Sequence, residues 1–310
     1  MNYLQLVNRL MVNCGVSGAA LTTTANQTGE PGRLCNWINE AWEDIQTQRQ
    51  DWQWMRKTAT FTTVANQPIY TISQIGLTDF GHWSRDTFRN YANPFVSISI
   101  GSPAVANLQG HLLNIGDQVQ FFTSGSLPTG ITQGITYYVV SIPTPDTFTF
   151  SLTAGGSPVN TSGTQSGNQS MTSNNTTTFS GMRSEIFMEY MDYDGWRNSY
   201  EYGALRTIKT RPLNMTITPN KSIGLGPFPD SGYTVLGDYY SVPVDLVADT
   251  DVPAMPAKFH LAIIYKAMMA YGAFEAASEV YDRGEKEYNR WIRRIHADQE
   301  IEMTSSGPLA

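Results

Sequence analysis

Two groups of carboxylates stand out along the chain, Glu185/Glu189/Asp192/Asp194 and Asp245/Asp249/Asp251. A glycosidase needs such a pair as proton donor and partner, and a calcium site needs such a ring of hard oxygen ligands. The same spacing also suits solvated loop acids, and no further motif favours either chemistry. The four histidines, His82, His111, His260 and His296, are separated from one another and from both cysteines. There is no His-Glu-x-x-His, Gly-x-Ser-x-Gly, phosphate loop or Cys-x-x-Cys. Gly224-Leu-Gly226 has the look of a phosphate-loop fragment, but Pro227 and Pro229 follow where a helix would have to open. Cys14 and Cys35 are too few for a disulfide framework or a thiolate zinc site and read as buried free thiols. Phe121-Phe122 and Tyr137-Tyr138 offer faces to a sugar, although strand alternation turns one member of each pair into core. Asn26, Asn160, Asn168 and Asn214 open Asn-x-Ser/Thr triplets, which without a signal peptide are composition alone. No catalytic, cofactor-binding or metal-binding residue is assigned, no cofactor is expected, and the reading is a non-enzyme.

The elements that would position these residues fall into two compositional classes. The chain has 310 residues, 41% hydrophobic and 15% charged, against about 25% charged in an ordinary globular chain. That deficit is local: between Arg89 and Arg183 there is no Lys, Arg or Glu, and only Asp117 and Asp146 carry charge. Such a shift predicts one module inserted into another. The net charge of −7, with no basic stripe, argues against a protein that grips nucleic acid by its phosphates. DNA sliding past without adhering is compatible with it. The opening segment interleaves Gln, Asn and Arg with apolar residues, unlike a signal peptide. The apolar stretch from His260 to Phe274 contains Lys266 and is too short to span a bilayer. These features predict a soluble protein made in a reducing cytoplasm, with no membrane partner.

Inside the neutral block, Phe95–Ile100, Gln118–Thr123, Thr136–Ser141 and Thr147–Thr153 are β-branched and aromatic, with turn residues between them. The stretch from Ala154 to Asn175 is rich in Gly, Ser, Thr and Asn and reads as a flexible return linker. In the flanks, Tyr3 to Cys14 and Arg33 to Trp52 keep helical spacing, and Thr58–Thr63 with Gln67–Ile72 reads as a strand pair. Ser184–Met191 suggests a strand, Tyr193–Tyr202 a short helix and Leu213–Leu225 a hairpin, with a further strand over Tyr233–Val242. Two helices follow, Ala257–Phe274, apolar nearly all round, and Glu275 to about Gln299.

The predicted class is α+β: a helical domain with a small antiparallel sheet, plus an inserted all-β domain. The boundaries are 1–93 and 176–300 for the two parts of the first domain, 94–175 for the insert and its return linker, and 301–310 for a flexible tail. On the last helix Tyr281, Tyr288, Trp291, Ile292 and Ile295 form an apolar seam. Such a seam is equally a surface for packing a neighbouring subunit or the inside of a monomeric helical core.

Particular residues resemble head-to-tail adaptor (connector) proteins of tailed phages. They are Tyr3-Leu-Gln-Leu-Val-Asn-Arg-Leu10, Trp37-Ile-Asn-Glu-Ala-Trp-Glu-Asp-Ile45 and Trp52-Gln-Trp-Met-Arg56 in the first flank. Gly226-Pro-Phe-Pro-Asp230, Asp249-Thr-Asp-Val-Pro253, Met255-Pro-Ala-Lys-Phe-His260 and Arg283-Gly-Glu-Lys-Glu-Tyr288 continue the match in the second. The neutral block, with Ile115-Gly-Asp, Thr136-Tyr-Tyr-Val-Val and Asp146-Thr-Phe, is similar to a small β-module of phage proteins. The resemblance implies a structural ring, a dodecamer, seated on the portal at the head-tail junction of a virion and made in a bacterial host's cytoplasm. It implies the portal, tail or nozzle/stopper proteins and further copies of the chain as partners, with DNA passing through without specific binding. Ile301, Met303, Pro308 and Leu309 in the tail are expected to face the portal. A receptor- or glycan-binding tail protein using the β-block is the alternative.

Overall fold

The computed structural model describes residues 1–175 and 185–299. The chain separates into two compact units, one of Met1–Arg56 with Tyr240–Ala310 and one of Lys57–Tyr239. In chain order the elements begin with helices α1 (Tyr3–Cys14) and α2 (Gly29–Thr47). Next come β1 (Arg56–Thr62), β2 (Ile69–Tyr70), the one-turn α3 (Ile72–Ile75), β3 (Phe80–Trp83) and β4 (Arg89–Ala92). The neutral block holds β5 (Ser97–Ile98), β6 (Ala106–Asn107), β7 (Gln118–Thr123), β8 (Tyr137–Thr144), β9 (Thr147–Ser151) and β10 (Gln169–Ser173). After it lie β11 (Glu185–Phe187), β12 (Glu189–Tyr190), α4 (Tyr193–Trp196), β13 (Asn214–Ile217), β14 (Ile223–Gly226) and β15 (Tyr233–Ser241). Helices α5 (Leu261–Phe274) and α6 (Ser278–Gln299) complete the described chain. The fold class is α+β.

In the helical unit, α1 starts from a capping box, with Asn2 Oδ1 accepting from Gln5 N at 2.9 Å and Gln5 Oε1 from Asn2 N at 3.0 Å. It stops at Gly15, whose φ of 70° is left-handed. Its buried Leu6, Val7 and Leu10 join Leu34, Ile38, Trp42 and Ile45 of α2 in one core. Helix α2 ends at Thr47, short of the expected Trp52. The Trp52 side chain instead turns back, and its Nε1 donates to Ile45 O at 2.9 Å, satisfying a carbonyl at the helix end. Helix α5 packs against α1, α2 and α6. Its all-round apolarity is therefore consumed inside this unit, with Ala262, Ile263, Ile264, Ala267 and Met268 fully buried. The α5–α6 crossing is close: a Cβ on Gly284 would lie 3.0 Å from Tyr265 O.

The second unit carries three sheets. One has the order β1-β15-β4-β11 with β3 also on β15, and another has β12-β13-β14-β2. The expected strand pair β1–β2 does not form; each strand belongs to a different sheet. Asn66 takes a φ of 68° between them and its N–H donates to Pro229 O at 2.8 Å, so the chain leaves the first sheet at this turn. The single strand expected over 184–191 is two, divided at buried Met188, β11 pairing with β4 and β12 with β13. The expected hairpin is present as β13 and β14.

The third sheet runs β10-β7-β8-β9-β6-β5. Its two ends meet: Val96 N donates to Gln169 O at 3.0 Å and Met171 N to Pro94 O at 3.1 Å. Phe95 and Ser170 form an antiparallel bridge there. The sheet is thus a closed barrel without a free edge, filled by Phe121, Tyr137, Phe148, Phe150 and Met171. This corrects the reading of 154–175 as a flexible linker. Residues 169–173 are a barrel strand, and Ser162 and Ser166 bridge to Thr129 and Ser126. The glycines there serve close backbone approach; a Cβ on Gly125 would meet Ser166 O at 2.6 Å. Hydroxyls supply further bonds, such as Thr161 Oγ1 to Ser99 O at 2.7 Å.

Candidate assembly surfaces

The groups singled out for chemistry do not converge, and among the described residues no three His, Cys, Asp or Glu side chains are placed to hold a metal ion. Asp192 caps α4, its carboxylate accepting from Gly195 N at 2.8 Å. Glu185 faces Arg89 at 3.7 Å on the surface. Asp249 accepts from Thr24 N at 2.6 Å and Thr24 Oγ1 at 2.5 Å, and the Thr24 bonds hold its carboxyl below the usual carboxylate range. Asp251 accepts from Val247 N and Ala248 N, both at 2.8 Å, and these bonds lower its carboxyl likewise. Asp192, Asp249 and Asp251 thus fasten turns and loops, and Glu185 pairs across two strands.

The remaining candidates are also built into the packing. His260 is buried, with Nε2 2.9 Å from Met255 O, and burial pushes its imidazole below the usual value. His111 lies edge-on to Phe148 in the barrel and His296 lies against Trp52. Burial pushes the Cys14 thiol up to about 12 and the Cys35 thiol in the same direction, which removes thiolate reactivity. Gly224 and Gly226 sit on β14 beneath the rings of Trp196 and Tyr200, where side chains would not fit. Both members of Phe121-Phe122 are buried: Phe121 fills the barrel, and Phe122 lies on its outside where Gly232 approaches. A cleft of about 420 Å³ beside Phe122 is lined by Thr60, Thr62, Gln67, Gln74 and Gln120, with the rings of Phe61 and Tyr70 buried in its wall.

The α6 seam lies against the unit's own core. Tyr288 and Ile295 are buried, and Tyr281, Trp291 and Ile292 are half-buried. Gln48 Nε2 donates to Tyr288 Oη at 2.6 Å, and Trp291 meets Phe259 edge to face. The tail residues Ile301, Met303, Pro308 and Leu309 lie outside the described residues.

What sequence reading missed is an extended strap over residues 242–252, laid along α2. Val244 N donates to Gln46 Oε1 at 3.1 Å, while Val244 O accepts from Trp42 Nε1 at 2.9 Å and from Gln46 Nε2 at 3.3 Å. Leu246 is held the same way by Asn39, at 3.2 Å and 3.0 Å. The two amide side chains thus imitate a neighbouring β-strand. Tyr3 N then donates to Asp251 O at 2.8 Å, fixing the strap's far end to α1. Leu246 points inward, while Val242, Val244 and Val247 are 41%, 55% and 79% exposed. The readable signal was the pairing of Asn39 with Gln46 at helical spacing and the run Val-Pro-Val-Asp-Leu-Val. In the other unit Phe187, Tyr202, Leu205, Ile208 and Leu213 are also exposed.

A family model described as SU10 adaptor protein matches residues 1–175 and 150–309. No curated protein matches the chain. A solved structure described as Phage phi92 endosialidase is similar at 25% identity, covering 32% of this chain and 14% of that one, with a TM-score of 0.19. This chain thus spans about a seventh of that protein's length, and the likeness carries no argument.

Proposed function

Because the chain belongs to the SU10 adaptor protein family, we propose that it forms a ring on the portal at the head-tail junction of the virion. Membership makes it an adaptor-type structural protein of a bacteriophage, one that interacts with head or tail components. In the proposed role twelve copies pass DNA from head to tail and present a docking surface to tail, nozzle or stopper proteins. Assembly takes place in the bacterial host's cytoplasm. The observation that carries this reading is the family match over residues 1–175 and 150–309, nearly the whole chain. The net charge of −7 supports it, since an acidic wall repels the phosphate backbone and lets DNA slide.

In this reading 1–93 and 176–300 make the adaptor proper, 94–175 is an accessory module inserted into it, and 301–310 is a tail that orders against the portal. The paired barrel ends favour insertion, because the chain enters and leaves the barrel at adjacent strands. The half-exposed edges of Tyr281, Trp291 and Ile292 remain available to a neighbour. Cryo-electron microscopy of purified virions tests the role: a ring of this chain between portal and tail is expected. Density confined to fibres or the tail tip would overturn it in favour of the receptor- or glycan-binding reading. For the tail, hydrogen exchange should show stronger protection of 301–310 with portal than without, and equal protection would sink that part.

A further inference from the structure

Helix α2 and the strap bring together carboxylates that have no cation of their own. Glu43 lies on the same stripe of α2 as Asn39 and Gln46, the two residues that grip the strap on either side of Asp245. Glu40 is one residue away from that stripe. All three acids are exposed, and none makes an ion pair within the described chain; the nearby Asp44 is already paired with Lys266 at 3.0 Å. Around them stand the outward Val242, Val244 and Val247. Acids this close repel one another, and apolar side chains beside them gain from being covered.

The opposite charge is displayed on α6. Lys286, Arg290 and Arg293 follow at i, i+4 and i+7 and are exposed, on the side of the helix turned away from its seam of Tyr288, Ile292 and Ile295, with the acids Glu279 and Asp282 confined to the turns before them on the same line. Arg290 reaches Glu287 at 3.6 Å, a loose surface pair, and Lys286 and Arg293 make no ion pair within the described chain. No ion pair joins the two stripes within the described chain. A second copy can join them, in a head-to-tail contact that repeats.

We infer that the acidic strap face of one copy docks on the basic outer stripe of α6 on the next. The arginine and lysine stems cover the valines while their heads meet Glu40, Glu43 and Asp245. This rests on the ring reading and names the faces that would join its subunits.

The test uses the full chain in sedimentation velocity at low ionic strength, where surface charges are least screened. One variant carries Glu40→Arg, Glu43→Arg and Asp245→Arg; the other carries Lys286→Glu, Arg290→Glu and Arg293→Glu. The wild type should associate, each variant alone should associate at least about tenfold more weakly because like faces now meet, and an equimolar mixture should recover association. The milder Glu43→Gln with Asp245→Asn, which keeps shape and fold, should weaken association in the same direction. Wild-type association by either reversed variant alone overturns the contact and leaves the ring reading standing. A wild-type chain that stays monomeric also overturns the contact, and the ring is then judged by images of virions alone.

Discussion

The helical unit and the barrel achieve burial by opposite means. In the helical unit, side chains separate the backbones, and Trp42, Ile38 and Leu10 fill the space between cylinders whose outer faces are solvated by charge. In the barrel, backbone approaches backbone at Gly125 and Gly130, and the surface is solvated by hydroxyls and amides that also bond within the fold. Charge is reduced to Asp117 and Asp146 where hydroxyls take over its task. The low charge content of the whole chain is thus a property of one region, and its two solvation strategies coexist without mixing.

The strongest way to break this comparison is to hollow each region in turn. Trp42→Ala and Phe150→Ala should each cost about 3–5 kcal/mol. Site-resolved hydrogen exchange should show the loss confined to the mutated region's own unit; acceleration throughout both would refute the division. Next, Gly130→Ala puts a side chain at a φ of 107° and into Asn160 O. It should lower barrel stability by about 1–3 kcal/mol in urea unfolding, where a flexible linker would show no change. Third, Gln46→Leu leaves Val244 N unpaired and should cost about 1–3 kcal/mol. Faster exchange of the Val244 and Leu246 amides should accompany it, and unchanged exchange would mean the strap is held by other contacts.

The smallest effect is one of pH. Burial holds the His260 imidazole below its ordinary 6.5, so the unfolded chain takes up the proton first. Stability is full above about 6.5 and declines as pH falls from there toward the folded value. Urea midpoints across that window should follow this slope in the wild type and lose it in His260→Asn, if that variant folds; Met255→Ala leaves the imidazole in place and should keep it.

The helices were legible because an apolar stripe at 3.6 residues has one explanation, as Leu34, Ile38, Trp42 and Ile45 show. Strand positions β7 and β9 were legible for a similar reason, their alternation and turns. Partnership was not: nothing local to Thr58–Ile72 says that β1 and β2 join different sheets. Residues 154–175 misled because glycine marks close backbone contact as readily as freedom, and only the facing strand decides which. The α6 seam was read with its periodicity correct, but periodicity does not name the surface that covers it. The strap has no period at all, being held by side chains of another element.

The barrel's closure through Pro94–Val96 and Gln169–Met171 has a consequence for heredity. Its first and last strands lie side by side, one strand spacing or about 5 Å apart, through the bridge of Phe95 with Ser170. Under the proposed reading of 94–175 as an insert, a gene segment encoding such a barrel could be acquired or discarded as a unit, its two ends already adjacent.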